Sequence, residues 1–95
     1  MEDKSTKLFL KSLIGEVYKI LPMKESNDEG LSYYLDSLCI QLLGGLESFP
    51  ELKKCNKYIS ILNVIQFFRT NEYDKRTCKR EVLKCTNLLE KLSKS

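Results

Sequence analysis

The chain has 95 residues and a mass of 11.1 kDa, which is enough for one domain and too little for two. Its content of 42% apolar and 31% charged residues is typical of a soluble globular domain and excludes a disordered chain. The net charge of +3 is unevenly distributed, because residues 1–52 sum to −4 and residues 75–95 sum to +5. This asymmetry predicts either charge pairing across the domain or a basic face for an acidic partner.

The first predicted helix covers residues 5–21. Its apolar residues recur at three- and four-residue spacing, as on one face of a helix. We expect Pro22 to end this helix, because the residue before a proline is pushed out of helical geometry. Gly15 lowers helix stability and predicts a close crossing with another helix.

The second predicted helix covers residues 28–46. Ser26 and Glu29 have the spacing of a capping box, which places its start near Asp28. The pair Gly44-Gly45 weakens its end, so the helix either stops there or continues to Phe49. The sequence leaves open whether Pro50-Glu51-Leu52 joins the next helix or forms a separate turn.

Two further helices are predicted over residues 57–70 and 75–94. The first of them is apolar on a broad side, and its length and spacing favour a helix over a strand despite its β-branched residues. The second alternates apolar residues by four and three, with Asp74 as its N-cap. Four helices with short connections predict an all-α, antiparallel four-helix bundle in a single domain spanning residues 1–95.

The predicted core gathers the apolar stripes of all four helices. It consists of Leu13, Ile14, Val17, Leu35, Leu38, Leu42, Ile61, Leu62, Ile65, Phe68, Val82, Cys85, Leu89 and Leu92.

The sequence predicts a cytoplasmic location. Residues 1–4 are charged and are not followed by the apolar core and cleavage site of a signal peptide. No uncharged stretch exceeds eleven residues, which is too short to cross a bilayer. We therefore expect Cys39, Cys55, Cys78 and Cys85 to be reduced thiols that pack as small apolar residues.

No enzymatic activity, cofactor or metal site is predicted. The sequence contains no histidine, which is the commonest general base and the commonest metal ligand. Its cysteines lack zinc-ligand spacing, and no phosphate-binding or nucleophile motif occurs. The paired carboxylates lie at helix entrances, where they suit the helix dipole.

Two features predict contacts with a partner. Arg76, Lys79, Arg80 and Lys84 form a basic row on the last helix, which suits an acidic partner or several phosphates but carries no aromatic residue for base stacking. Phe49 is a large apolar residue in the connection after the second helix. It is either a partner contact or a hydrophobic staple that closes the end of the bundle.

The stretch Tyr58-Ile59-Ser60-Ile61-Leu62-Asn63, followed by Asn71-Glu72-Tyr73 and Lys79-Arg80-Glu81-Val82-Leu83, resembles the class IIa bacteriocin immunity proteins. This resemblance implies a small, non-catalytic, cytoplasmic four-helix bundle that protects its producer from a pore-forming peptide, through association with that peptide's membrane receptor.

The same features fit a phage or mobile-element inhibitor of a soluble host defence or regulatory protein, similar to anti-CRISPR proteins. In that case the acidic residues Glu16, Glu25, Asp28, Glu29 and Asp36 are the expected contacts. Nucleic-acid binding through the basic last helix is the second alternative. In each case we expect a monomer or a weak homodimer.

Overall fold

The computed structural model describes residues 4–94, in which five α-helices and a 3₁₀ helix follow one another without a strand. The α-helices are α1 (Lys4–Tyr18), α2 (Ile20–Glu25), α3 (Leu31–Ser48), α4 (Asn56–Thr70) and α5 (Lys75–Lys94), with the 3₁₀ helix at Pro50–Lys54 between α3 and α4. The short helix α2 prolongs α1, so the architecture is the predicted all-α four-helix bundle. The bundle measures 38 × 21 × 18 Å along its principal axes.

The sequence predicts that Pro22 ends the first helix, and this prediction is wrong. The helix is interrupted earlier, by a turn at Lys19, and Pro22 lies inside α2. Pro22 occupies the first turn of α2, where a backbone N–H has no partner within the helix and its absence costs little. The helix ends instead after Glu25, where Asn27 has a φ of 53° and the Asp28 N–H donates to the Met23 carbonyl at 2.9 Å.

The start of α3 also differs from the prediction. The Ser26–Glu29 capping box does not form, because the Ser26 hydroxyl donates to the Met23 carbonyl at 3.3 Å. Asp28 instead accepts the Gly30 N–H at 2.7 Å, which forms a turn and delays the helix to Leu31. At its other end α3 continues through both glycines to Ser48, the longer of the two predicted alternatives.

The connection after α3 forms a separate turn, and the start of α5 is the predicted one. Residues Pro50–Lys54 form the 3₁₀ helix rather than a part of α4. Asp74 caps α5 by accepting the Thr77 N–H at 2.7 Å, as its position predicts. This hydrogen bond lowers the pKa of the Asp74 carboxyl.

Every predicted core residue is buried except Ile14, which is half-buried against the core. The core also includes residues outside that list. Leu10, Ile20, Leu52 and Tyr58 are buried, and so are Cys39 and Cys78, for which the sequence predicts packing as small apolar residues. The predicted close crossing at Gly15 is wrong, because that residue is exposed and a Cβ built on it meets nothing within 4 Å.

The helices pack in a ring, and this order determines which surfaces face apart. Helix α1 packs on α5, α5 on α4, and α4 on α3, while α2 and α1 close the ring against α3. Within the described residues, no Cα atom of α3 lies within 8 Å of a Cα atom of α5, so these two helices lie diagonally across the bundle. Their outward faces therefore point to opposite sides of the molecule.

Candidate functional site

The structure brings the predicted basic row together on the outward face of α5. Arg76, Lys79, Arg80 and Lys84 are all exposed, and successive residues at four-residue spacing are about 6 Å apart along the helix. Arg80 forms an ion pair with Glu81, in which the Nε–Oε2 distance is 3.1 Å. Surface pairs of this kind hold a cation only weakly, so the row stays available to an acidic group.

Phe49 lies at the closed end of the bundle. It is half-buried, and its ring packs on that of Phe9 with the centroids 5.2 Å apart. Beside it, the Thr6 hydroxyl donates to Glu51 Oε1 at 2.6 Å and links α1 to the 3₁₀ helix. This packing favours the staple interpretation of Phe49 over the partner contact.

Gly45 and Tyr58 complete the same end. Tyr58 is completely buried and donates its hydroxyl to the Leu42 carbonyl, and burial raises the pKa of the phenol. A Cβ on Gly45 would lie 2.5 Å from the Tyr58 hydroxyl oxygen and 2.6 Å from Phe9 Cε2. The glycine is therefore needed here for the close approach of two aromatic side chains.

The outward face of α3 is a surface that the sequence interpretation missed. Tyr33 is 81% exposed, Ile40 70% and Leu43 43%. Gly44 lies on the same side, and a Cβ built on it meets nothing within 4 Å. The signal was in the sequence, because Tyr33, Ile40 and Gly44 recur at helical spacing on the side opposite Leu35 and Leu42.

Four of the five predicted acidic contacts have partners within the fold. Glu16 accepts a hydrogen bond from the Tyr34 hydroxyl at 3.1 Å, and Glu25 Oε2 lies 3.9 Å from Lys75 Nζ. Asp36 Oδ1 accepts from Arg69 Nε at 2.8 Å. Asp28 accepts from Gly30 in the turn before α3, so each of these four carboxylates has a partner within the chain.

Two carboxylates near α3 differ from this group. Glu29, in the turn before α3, and Glu47, in its last turn, are exposed and have no ion-pair partner among residues 4–94. No lysine or arginine occurs anywhere in residues 25–52, a segment that carries six acidic residues. Along the chain the exposed apolar side chains of α3 therefore have only acidic charged neighbours, and a cation near them in space, Arg69 of α4, pairs with Asp36.

A shallow pocket of about 170 Å³ lies between the start of α3 and the end of α4. Its lining is Leu31, Ser32, Leu35, Phe68, Arg69 and Tyr73. The Tyr73 ring packs on that of Phe68 with the centroids 4.4 Å apart. The Lys24 Nζ lies over the Tyr73 ring, 4.2 Å from its centroid, in a cation–π contact. The lining of the pocket is mainly apolar, and it includes Arg69, which pairs with Asp36.

The cysteines are all free thiols, and three of them are buried. Burial raises the pKa of Cys85 to about 12 and also raises that of Cys78. Such thiols carry almost no thiolate at neutral pH and react poorly as nucleophiles. Cys55, at the start of α4, is half-buried.

Two kinds of feature are absent from the part of the chain that the structure describes. Residues 4–94 contain no group of three or more cysteine and carboxylate side chains placed to hold a metal ion. Across the same range, no helix combines the length and the apolar character needed to traverse a bilayer.

Comparisons with protein-family models, with curated proteins and with solved structures give no match to this chain. The candidate sites are therefore defined by geometry alone. They are the outward face of α3, which is apolar with acidic neighbours, and the basic row of α5 on the opposite side.

Proposed function

We propose that this chain is a small non-catalytic protein that binds and neutralises a protein partner through the outward face of α3. The observation that supports this role is the exposure of Tyr33 and Ile40, two large side chains that the bundle does not use. Single exposed apolar residues are ordinary on a protein surface. Grouped on one helix face with Leu43, they resemble the apolar centre of an interface, in which aromatic residues are enriched.

The resemblance to bacteriocin immunity proteins gives the first version of this proposal. In that version the partner is a membrane receptor or a complex containing it, and the chain binds it from the cytoplasmic side of the membrane. The chain needs no membrane segment of its own for such a role. Its small, rigid helical body presents a preorganised surface, which lowers the entropy lost on binding.

A soluble target is the other version, in which the chain is a phage or mobile-element inhibitor. Covering a functional surface is sufficient for such an inhibitor, so no catalytic group is required. Both versions use the α3 face, and they differ only in the fraction of the cell that contains the partner.

The test is a capture experiment with three forms of the tagged chain: wild type, Ile40→Ser and Leu83→Ser. Leu83 is the matched control, because it is an exposed leucine, 39% accessible, on the diagonally opposite helix α5. Lysate of the source cells is divided into soluble and detergent-solubilised membrane fractions. Each fraction is washed at high salt and analysed by quantitative mass spectrometry.

We expect one protein to be retained in stoichiometric amount by wild type and Leu83→Ser and to be lost with Ile40→Ser. Its presence only in the membrane fraction supports the immunity version, and its presence in the soluble fraction supports the inhibitor version. Equal retention by all three forms would remove the α3 face from the proposal.

Nucleic-acid binding remains a second candidate function because of the basic row on α5. Arg76, Lys79 and Lys84 are exposed and form no ion pair within residues 4–94. If the row contacts phosphates, log K falls linearly with log salt, and Arg76→Ala lowers the slope by about one. Binding to a duplex or single strand that is absent at physiological salt, or insensitive to Arg76→Ala, would exclude this candidate.

A further inference from the structure

We infer that the outward face of α3 accepts one kind of partner segment, an amphipathic helix with apolar residues on one side and lysine or arginine residues along its edges. This inference rests on the proposed function and specifies the chemistry of the partner. It follows from two properties of α3: the shape of its outward face and the exposed, unpaired carboxylates near its two ends.

The shape of the face suits a helix. Tyr33, Ile40 and Gly44 lie on a stretch of twelve residues, whose ends are about 16 Å apart along the axis. That length corresponds to three turns of a partner helix, and recognition of helices in grooves uses anchors at such spacing. Ser37 and Gly44 leave low points between the larger side chains, and the space above Gly44 is open. A ridge of a second helix fits between such side chains.

The charge selects among apolar helices. The segment 25–52 has six acidic residues and no basic residue, and Glu29 and Glu47 are exposed without an ion-pair partner in the described part of the chain. A helix with acidic edges would bring like charges together, which is unfavourable. A helix with basic edges would place its cations near Glu29 and Glu47 while its apolar side covers Ile40.

The experiment uses two synthetic helices of eighteen residues that share an identical leucine and alanine face. Outside that face, one carries lysine at each remaining position and the second carries glutamate. Each is titrated into the ¹⁵N-labelled chain, and amide chemical shifts are followed at low and at physiological salt. Four forms of the chain are compared: wild type, Ile40→Ser, the double variant Glu29→Gln/Glu47→Gln, and the control Glu81→Gln/Glu90→Gln on α5.

We expect the lysine helix to shift amides of residues 31–48 and to bind at least about tenfold more tightly than the glutamate helix. Ile40→Ser should weaken its binding by about tenfold, and Glu29→Gln/Glu47→Gln by about threefold. The α5 control should leave the affinity unchanged. Equal affinity of the two helices, or shifts confined to residues outside α3, would overturn the inference.

Self-association is a separate outcome of the same titration. If amides of α3 shift or broaden as the concentration of the chain alone is raised, and if Ile40→Ser abolishes the effect, the occupant is a second copy and the inference is wrong.

Failure of this inference can be distinguished from failure of the proposed function. A cellular partner that requires Ile40 while the two helices bind equally leaves the function standing and removes only the charge preference. If the chain binds the lysine helix selectively but its cellular partner is retained equally by Ile40→Ser, the charge preference of the α3 face stands and the proposed function fails.

Discussion

The two sides of α3 carry similar residues in opposite circumstances. Leu35, Leu38 and Leu42 lie on its inner side and are at most 3% exposed, whereas Tyr33 and Ile40 on its outer side are at least 70% exposed. The inner residues are determined by the bundle, because each fills space between neighbouring helices. The outer residues are unnecessary for the fold. Side-chain hydrophobicity alone therefore does not distinguish a core position from a recognition position, and location around the helix does.

The adjacent glycines of α3 give the same comparison at the level of one Cβ atom. Gly45 is buried, and an added Cβ would come within 2.7 Å of two aromatic side chains. Gly44, one residue earlier, has open space in the same position. Packing therefore requires the glycine at position 45. The glycine at position 44 leaves a low point on the surface that the fold does not need.

The largest expected effect is the difference in stability between alanine variants of Leu38 and Ile40. Leu38→Ala leaves a cavity in the core and should lower the free energy of unfolding by about 2–5 kcal/mol. Ile40→Ala removes an exposed side chain and introduces a better helix former, so it should change that free energy by less than about 0.5 kcal/mol. Urea denaturation followed by circular dichroism measures both variants.

Ile65→Ala on α4 serves as a second core variant, with the same expected loss of about 2–5 kcal/mol. A denaturation midpoint that Leu38→Ala and Ile65→Ala leave unchanged would show that the core is placed incorrectly. A large loss with Ile40→Ala would show that the outer side of α3 is part of the fold.

The next effect concerns Gly45. Gly45→Ala forces its Cβ against the Tyr58 hydroxyl and the Phe9 ring, and overpacking of this kind costs about 1–3 kcal/mol. Part of this cost is offset by the higher helix propensity of alanine, so the net loss should be about 1–2 kcal/mol. Tyr58→Phe removes the nearest atom, and we expect Gly45→Ala to cost less in that background. A double-mutant cycle without coupling would contradict the contact geometry.

Much of the fold follows from spacing in the sequence, because buried side chains must recur with the period of the helix. That rule predicted the bundle and all of the core list except the half-buried Ile14. It did not predict local backbone events. Pro22 is accommodated in the first turn of α2, and Asp28 closes a turn instead of starting α3. Such choices depend on competition between neighbouring hydrogen bonds, which apolar spacing does not register.

The candidate sites were less accessible to sequence reasoning. The basic row of α5 was placed correctly on an exposed face, because charged residues opposite an apolar seam have nowhere else to lie. The outer face of α3 was overlooked, since Ile40 and Leu43 occur among core leucines and their direction depends on where α1 and α4 pack. Phe49 was predicted as a contact or a staple, and only its packing on Phe9 favours one of the two.

The smallest expected effect has the opposite sign and concerns Gly44. Glycine inside a helix costs about 0.5–1 kcal/mol relative to alanine, and the open space at this position imposes no steric penalty. Gly44→Ala should therefore raise the free energy of unfolding by about 0.5–1 kcal/mol, and Gly15→Ala on α1 should do the same for the same reason. If Gly44 is retained for recognition, Gly44→Ala should also weaken partner capture, because its methyl group fills the low point beside Ile40. Gly15→Ala, equally stabilising but on another helix, should leave capture unchanged. Identical capture by both variants would mean that the low point at Gly44 takes no part in binding, even if the rest of the α3 face does.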